Sequence, residues 1–279
     1  MKLIKPEVID ITQTDYTLEG VYKQIELAGR TCYKSEDRIT ESSAKPFVDM
    51  LIERGHTAML EHGTVYLTIP MTTRYSDEPN VYQDNKYSIV KESARFPFKF
   101  KAIYPCGKYD AWCVTTNYRV IVENNITLTP ELLHSPTKWH ERRVSFRIIC
   151  SIGIARELCR HRVFSFAQES TRYCNYSKDK FGGISFIEPY WYEDADSISQ
   201  DLFKSNLEIA SVSYRALINN KMMAQQAREV LPLATKTELV MTGTVSQWKA
   251  FLKLRLDKAA HPDMRIVAQK ISDLLKKYE

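Results

Sequence analysis

The sequence predicts an α+β fold in one domain that carries an insertion. Segments with helical spacing alternate with short strand-like segments, but without the regular strand–helix–strand order of a doubly wound parallel sheet. Neither a GxGxxG segment nor a Walker loop is present. The chain has 279 residues, of which 44% are hydrophobic and 26% charged, values typical of a globular protein with a sizeable core.

Two helices and a strand are predicted in the first quarter of the chain. Residues 17–33 and 41–54 place apolar side chains at helical spacing, and Gly55 follows as a stop signal. Residues 63–69 are rich in β-branched and aromatic side chains and predict a strand that ends at Pro70.

Residues 71–140 are the least regular part and form the predicted insertion. Prolines are scattered through this stretch, which is polar at first and then rich in aromatic side chains. Within it, Trp112 to Val122 is compatible with a strand or a helix, and periodicity does not decide between them.

The second half of the chain alternates again between the two kinds of element. Arg143–Ile149 has the alternation of a strand, and a helix at about 151–159 and a polar loop to about 183 follow it. The long helix at about 195–219 has Ile198, Leu202, Ile209, Val212 and Leu217 on one side. The other predicted elements are a strand at 184–187, a helix near 222–229, a strand near 235–242, and helices at about 244–255 and 262–277.

Composition excludes several classes of protein. The 39 Lys and Arg against 34 Asp and Glu give a net charge of +5, too small for a protein that coats nucleic acid but compatible with small anionic ligands. No apolar run approaches the roughly 20 residues of a membrane helix, and the first residues do not look like a signal peptide. The six cysteines include no CxxC pair, so we expect a reduced, cytoplasmic chain without a metal site.

The densest run of polar side chains is Arg156 to Tyr173. If a helix ends near Arg160, then Arg156 and Arg160 lie one turn apart on the same face. Guanidinium groups bind phosphate and carboxylate through paired hydrogen bonds, and the Gln-Glu-Ser-Thr stretch adds donors and acceptors for a heterocycle. Arginines after a helix that simply face water are an equal alternative on spacing alone.

A second set of arginines lies far downstream. Arg228 precedes Leu231-Pro232-Leu233, and Arg255 lies between Leu252 and Leu256 on an otherwise apolar helix face. An arginine on a buried side is usually paired, here with a carboxylate such as Asp257 or with a ligand.

Several of these motifs together resemble one family. Arg160-His161-Arg162, seven residues and Ser170 resemble the RHR-x7-S signature of flavin-dependent thymidylate synthases. Other segments are similar to motifs of the same family in the same order: Ala28–Ser35, Gly55–His62, Ser170–Ser177, Arg228–Leu233 and Phe251–Arg255.

The resemblance implies an activity and an assembly. Members of the family convert dUMP to dTMP with methylene-tetrahydrofolate as carbon donor, while NADPH reduces a bound FAD that supplies the hydride. They are homotetramers with a mixed sheet core flanked by helices, and their sites are shared between subunits. The partners implied are therefore further copies of the chain and small molecules, with neither nucleic acid nor a membrane.

The resemblance also implies roles for individual residues. Arg255 is expected against the uracil ring, where a fixed cation favours the N3-ionised pyrimidine, and it is the catalytic residue of this interpretation. The residues expected to line the dUMP pocket are Glu157, Arg160, Gln168, Glu169, Ser170, Thr171, Arg172, Arg228 and Arg255. Those expected to contact FAD are His56, Ala58, Arg160, His161, Arg162, Gln168, Thr244 and Ala250.

The family requires no enzyme nucleophile, because the hydride completes the transfer. Cys159 and Cys174 are therefore expected to be structural, and Ser170 to be a ligand-binding hydroxyl without an adjacent base. His56 is expected near flavin and folate, whereas His62 is more easily explained as structural; Glu61 is expected to orient one of them or to cap a helix.

The chain departs from the family pattern at a few positions. Thr244 and Ala250 stand where asparagines often face the flavin, and Ala58 stands where Ser or Thr is frequent. In the insertion, Tyr75, Tyr82, Tyr87 and Arg95 could cover the folate or NADPH, but a surface elaboration that stabilises the oligomer is an equal alternative.

Two other functions remain open from the sequence. One is a non-catalytic nucleotide- or RNA-binding protein in which the same arginines and tyrosines form stacking surfaces. The modest net charge and the lack of a basic stripe argue against it. The other is a family member that has lost its activity through substitutions such as Thr244 and Ala250.

Overall fold

The computed structural model describes residues 1–71, 78–83, 85–97, 108–177 and 183–279. The helices are α1 (Leu18–Tyr33), α2 (Ala44–Glu53), α3 (Glu78–Gln83), α4 (Tyr118–Glu123), α5 (Ile152–Leu158), α6 (Ser197–Asn219), α7 (Ala224–Ala227), α8 (Val245–Arg255) and α9 (Pro262–Leu275). The strands are β1 (Lys2–Ile4), β2 (Glu7–Asp10), β3 (Thr64–Pro70), β4 (Ile89–Pro97), β5 (Lys108–Asn117), β6 (Arg143–Ser151), β7 (Ser165–Gln168), β8 (Ser185–Ile187) and β9 (Lys236–Thr244).

A four-stranded antiparallel sheet in the order β2-β6-β9-β7 forms the centre of the fold. Strand β6 pairs with β9 over its full length, from Arg143 opposite Thr244 to Ser151 opposite Lys236. Helices α5, α8 and α9 cover one face of this sheet, and their apolar side chains form the largest buried cluster with those of β6 and β9. Trp248 is fully buried there, and its indole N–H donates to the carbonyl of Val144 over 3.1 Å.

Helix α1 packs on the other face of the central sheet. Ala28 of α1, Ala167 of β7 and Val240 of β9 form a small buried cluster, and such short side chains let a helix lie close to a sheet. The hydroxyl of Thr17 caps α1 by accepting from the N–H of Gly20. The helix ends at Tyr33 and is capped by Lys34, whose φ of 48° is left-handed.

The predicted insertion contributes β4 and β5 to a second antiparallel sheet, in the order β3-β5-β4, whose third strand β3 precedes the insertion. Strand β5 pairs with all of β3, and their apolar side chains share one buried cluster with α1, α2 and α4. The stretch from Trp112 to Val122, for which periodicity left strand and helix open, is first a strand and then a helix. Strand β5 ends at Asn117, whose side chain accepts from the N–H of Val120 and caps the start of α4. Tyr75 and the side chain of Arg95 lie outside the described residues.

A short parallel pair, β1-β8, completes the sheets and carries α6 on its surface. Leu207 and Tyr214 are the buried side of α6. The side of α6 that the sequence marks as apolar is not this buried side. Its residues Ile198, Leu202, Ile209 and Val212 are 59–72% exposed. Only Leu217 of that set packs against the buried cluster of this region.

The fold class is confirmed as a mixture of helices and several sheets, with parallel pairing in one sheet and antiparallel pairing in the other two. The prediction of a polar loop up to residue 183 was wrong over 165–168, because β7 is a strand that pairs with β9. Strands β1 and β2 are too short to leave a periodic signal. Within the described ranges, every helix is too short or too polar to span a bilayer.

Candidate active site

The RHR segment lies just after α5. The hydroxyl of Ser151 caps this helix by accepting from the N–H of Ile154 over 3.2 Å. The helix ends at Leu158, slightly earlier than predicted, and the N–H of His161 donates to the carbonyl of Leu158 in the turn that follows. Arg160 and Arg162 are exposed on this turn, whereas His161 is partly buried. The turn therefore presents two guanidinium groups to solvent.

Arg255, the last residue of α8, is bound to the RHR segment. Its Nε donates to Nε2 of His161 over 2.8 Å, and one terminal nitrogen donates to the Glu157 carboxylate over 3.0 Å. The other terminal nitrogen donates to the Glu157 carbonyl over 3.3 Å. Its carboxylate partner is Glu157, not the neighbouring Asp257 that the sequence suggested.

The same contact fixes the state of His161. Its Nε2 accepts from Arg255, so the neutral ring carries its proton on Nδ1. Partial burial, and then the adjacent Arg255 charge, lower the pKa of His161. His161 also packs edge-to-face on Phe251 at 4.8 Å between ring centroids. Glu157, His161 and Arg255 therefore form a fixed unit that contains a neutral imidazole and a partly buried guanidinium.

The residues after β7 lie between α1 and β9. The N–H of Glu169 donates to the carbonyl of Glu238 over 2.7 Å, and the N–H of Ser170 donates to the carbonyl of Cys32 over 2.9 Å. Gln168 points the other way, where its amide donates to the Thr237 hydroxyl over 3.4 Å. Two backbone bonds therefore fix the position of the Ser170 segment.

Two lysines and two glutamates form a closed arrangement beside this segment, which we call the charge ring: Lys34, Glu169, Lys236 and Glu238. Lys236 lies 2.9 Å from the Glu169 carboxylate and 2.5 Å from that of Glu238. Lys34 pairs with Glu238 and lies 4.0 Å from Glu169. Every anion thus has a cation on each side.

The charge ring is buried enough to matter energetically. The Glu169 side chain is only 1% exposed, and it also accepts from the Tyr176 hydroxyl over 2.8 Å. Burial alone would raise the pKa of Glu238, but Lys236 and Lys34 outweigh it and hold that pKa below its usual value. The four side chains line a cavity of about 370 Å³ with Tyr176 and Ile184, among others. Sequence reasoning did not find this group, because its members lie far apart along the chain.

Arg228 and Arg172 lie near the same segment. A terminal nitrogen of Arg228 donates to the Thr171 hydroxyl over 3.1 Å. Arg172 is exposed, with its guanidinium 5.5 Å from the ring centroid of Tyr173, which packs on Tyr33 of α1. The predicted dUMP residues from 168 to 172 and Arg228 thus form one neighbourhood.

His56 and Ala58 open into a separate cavity of about 460 Å³. Gly55 turns the chain there with a left-handed φ of 67°, which permits α2 to end and His56 to follow. The cavity is lined mainly by apolar and aromatic side chains, with Arg119 as a cation: Gly29, Cys32, Tyr33, Phe47, Leu51, Gly55, His56, Thr57, Ala58, Met59 and Arg119.

Arg119 was missed by sequence reasoning, which assigned no chemistry to residues 71–140. It donates to the Glu61 carboxylate over 2.8 Å, so Glu61 pairs with Arg119 rather than with a histidine. His62 is fully buried, its Nδ1 lies 2.8 Å from the Thr242 hydroxyl, and burial lowers its pKa to about 3. A neutral, enclosed imidazole of this kind is structural.

Thr244, which ends β9 and caps α8, and Ala250 within α8 differ in exposure. Thr244 is 4% exposed, and its hydroxyl accepts from the N–H of Gln247 while the Gln247 side chain accepts from the N–H of Thr244. Ala250 is exposed. Their predicted contacts with a flavin stay predictions.

A model of the thymidylate synthase complementing protein family matches residues 134–278, just over half of the 279 residues. The chain belongs to this family. The matched part contains the RHR segment, the charge-ring members Glu169, Lys236 and Glu238, and both downstream arginines, whereas the His56 cavity lies before it.

Individual relatives of the family are moderately similar to the chain. A flavin-dependent thymidylate synthase from Geobacter sulfurreducens is 30% identical over 133 residues, which cover 44% of this chain and 53% of that one. Another from Mycobacterium tuberculosis H37Rv is 32% identical over 143 residues, 45% of this chain and 54% of that one. The match thus spans about half the length of each relative. The solved UMP/dUMP methylase PolB from Streptomyces cacaoi, bound with 5-Br dUMP, has a TM-score of 0.41 at 25% identity and covers 48% of this chain and 66% of that one.

The structure brings the family's signature residues together in two groups. Glu157, His161 and Arg255 form one group, and residues 168–172 with Arg228 form the other. The Cys159 sulfur, which follows Glu157 of the first group by two residues, lies 3.9 Å from the side-chain oxygen of Gln168 in the second group. Among the described residues that line the 370 Å³ and 460 Å³ cavities, none of the arginines 160, 172, 228 and 255 is present.

Proposed function

We propose that the protein is a flavin-dependent thymidylate synthase that methylates dUMP to dTMP in the cytoplasm. The observation that carries this proposal is the unit of Arg255, Glu157 and His161, whose members are 94 and 98 residues apart and come together within the matched family segment. Methylene-tetrahydrofolate would supply the carbon and NADPH the reducing power.

The nucleotide would be bound by the second group. The exposed guanidinium of Arg172 and that of Arg228 are suited to a phosphate, because their paired donors match its oxygens. The Ser170 and Thr171 hydroxyls and the Gln168 amide add neutral donors next to them, and Glu169 supports the segment from the charge ring. Placed this way, the uracil ring would reach towards Glu157, Arg160 and Arg255.

Arg255 would act on the pyrimidine electrostatically. Its contacts with Glu157 and His161 hold the guanidinium in one orientation before substrate arrives, so no reorganisation is needed when negative charge develops on the ring. Cys174 is a poor nucleophile, because it is buried and burial raises its thiol pKa to about 12. Cys159 is exposed, and partial desolvation by its neighbours raises its thiol pKa in the same direction. The chain's own contribution is therefore binding and charge stabilisation.

The residues of the His56 cavity fit a flavin. Its volume of about 460 Å³ is in the usual range of ligand pockets, and its aromatic and apolar walls suit a planar ring, with the Arg119 cation for a polar edge or phosphate. His56, Ala58 and Arg119 would hold FAD there, and Arg160, His161, Arg162, Gln168, Thr244 and Ala250 would contact it from the family segment. When bound and reduced, FAD supplies the hydride that completes the methyl group.

We infer that the sites are completed between subunits of a homotetramer. The described lining of the His56 cavity contains none of the four arginines 160, 172, 228 and 255, although Ser170 and Tyr173 contact its wall at Cys32 and Tyr33. A second copy could bring one chain's RHR turn to another's cavity. Within each subunit we propose a single domain, since the 71–140 stretch shares its core with α1 and α2.

Purification and one assay test the proposal. The protein should carry flavin absorbance, or gain it with FAD, and should oxidise NADPH in the presence of dUMP and methylene-tetrahydrofolate with production of dTMP. Arg228→Ala should raise the KM for dUMP by tenfold or more without loss of flavin, because a charge-assisted contact contributes about 1.5–3 kcal/mol. A colourless protein that cannot be reconstituted with FAD, or one that forms no dTMP, would refute the proposal.

A further inference from the structure

Helix α6 is apolar on two opposite sides, and only one of them is covered. Leu207 and Tyr214 are buried against the β1-β8 region. On the other side Ile198 is 72% exposed, Leu202 61%, Ile209 64% and Val212 59%. Isolated exposed apolar side chains are ordinary, but four large ones in a row along one helix indicate a contact surface.

The spacing of the exposed side chains is that of a helix–helix seam. Residues 198, 202, 205, 209, 212 and 216 follow each other at alternating steps of four and three, the a and d positions of a heptad repeat. Ser205 and Ala216 are exposed as well. We call these six positions the α6 seam. Leu207 and Tyr214 then fall at the f positions, directly opposite the seam, so the pattern matches the observed burial.

We propose that the α6 seam packs antiparallel against the α6 seam of a second copy of this chain. The twofold axis crosses the seam at the height of residue 207 along the helix. In that register Leu202 meets the second copy's Val212, Ser205 meets its Ile209, and Ile198 meets its Ala216. Each layer then pairs one Leu or Ile with a smaller side chain, the alternation of large and small by which facing side chains interdigitate. The inference deepens the assembly part of the proposed function by naming the surface used.

Charge selects the antiparallel orientation. The residues that flank the seam at the g positions are Asp201, Glu208 and Arg215. In the antiparallel register Asp201 faces the second copy's Arg215, and symmetry repeats this opposite-charge pair. In a parallel pair Asp201 would face the second copy's Asn206 and Glu208 would face its Ser213, so neither would form an ion pair. Glu208 meets itself at the axis, where the nearby Lys204 on the same helix offsets its charge.

Cross-linking of single cysteine variants tests the orientation. Around an axis at residue 207, two copies of Ser205→Cys lie about 6 Å apart along the helix axis, whereas two copies of Ala216→Cys lie about 27 Å apart. A short bismaleimide should therefore join Ser205→Cys into a covalent dimer and leave Ala216→Cys at the level of the wild-type protein. A parallel seam would cross-link both variants, and that result would overturn the inference.

The mass of the particle in solution tests the seam itself. Leu202→Glu should reduce the mass measured by light scattering to half, with an unchanged circular dichroism spectrum since the side chain is exposed. Lys270→Glu, a charge change at an exposed position of α9 instead of α6, should leave the mass unchanged. Asp201→Arg should weaken the assembly, and the double variant Asp201→Arg with Arg215→Asp should restore it. An active enzyme whose mass Leu202→Glu leaves unchanged would reject the seam and leave the proposed function standing, and a monomeric wild-type chain would reject the seam as well.

Discussion

Replacing Lys236 with methionine removes one of the two cations from the charge ring. Methionine keeps the length and the apolar stem of the side chain, so the change is mainly one of charge. Glu169, 1% exposed, would keep the Tyr176 hydroxyl at 2.8 Å and Lys34 at 4.0 Å. Glu238, 10% exposed, would keep Lys34. The variant therefore leaves two buried carboxylates with a single cation.

The expected cost follows from this count of partners. Removal of one partner of a buried ion pair costs about 3–5 kcal/mol, and we expect about 3 because Lys34 and Tyr176 remain. For a chain of this size each kcal/mol lowers Tm by about 2–4 °C, so Lys236→Met should melt about 6–12 °C below the wild type. Lys249→Met is the matched control. Its pair with Glu279 is about half exposed on both sides, and it should change Tm by no more than about 2–4 °C.

The effect should depend on pH in a defined direction. The pKa of Glu238 is lowered below its ordinary value of 4.5, in spite of burial, by Lys236 and Lys34. Its contribution is therefore complete above pH 4.5 and is lost as the pH falls through the folded-state pKa. Thermal melts at fixed protein concentration should show the gap between wild type and Lys236→Met narrowing below pH 4.5. A gap equal to that of Lys249→Met, or one constant from pH 7 to pH 3, would refute the account of the charge ring.

Two further pairs of substitutions, at glycines and at cysteines, have definite expected outcomes. Gly55→Ala should lower the free energy of unfolding by about 1 kcal/mol, because the φ of Gly55 is left-handed at 67°, although no atom lies within 4 Å of the added methyl group. The control Gly153→Ala in α5 should be neutral or stabilising. Denaturant melts in which the two variants behave alike would contradict this prediction. Cys159→Ala and Cys174→Ala should keep turnover of dUMP, since desolvation raises the pKa of both thiols, partial at the exposed Cys159 and strong at the buried Cys174. Loss of turnover with nucleotide binding intact would restore a cysteine nucleophile.

Much of the fold is predictable because local signals and tertiary contacts agree. Helix α1 begins at a Thr17 cap, and α2 ends at a glycine with positive φ. Strand β7 was missed because its residues lie in a segment dense with polar side chains, and only pairing with β9 makes it a strand. The stretch from Trp112 was undecided because Asn117 both ends a strand and starts a helix.

The apolar side of α6 shows a limit of periodicity. The pattern identifies a helix with apolar side chains at regular spacing, but it does not say whether they face the chain's own core. The structure buries Leu207 and Tyr214 and leaves Ile198 and Leu202 exposed. A sequence that serves both a core and an interface carries two overlapping patterns, and a single chain satisfies only one of them.

The site was predictable by residue type but not by pairing. The family resemblance pointed to Arg255 and to the segment around Ser170. That Arg255 would bind Glu157 and His161, more than 90 residues away, depends on how α8 packs beside α5. The family resemblance also pointed to Glu169, but the pairing of the charge ring and the contact of Arg119 with Glu61 had no local signal, because nothing local distinguishes a buried lysine or arginine from an exposed one.

The central claim is that Arg255 stabilises negative charge on the pyrimidine. Release of tritium from dUMP labelled at C5 tests this claim most directly. The wild-type protein should release tritium only when methylene-tetrahydrofolate and NADPH are both present. Arg255→Ala should lose this release by about 100-fold or more, the usual effect of removing one preorganised charge-stabilising group, while its flavin content stays unchanged. Tritium release by Arg255→Ala at the wild-type rate would contradict the account.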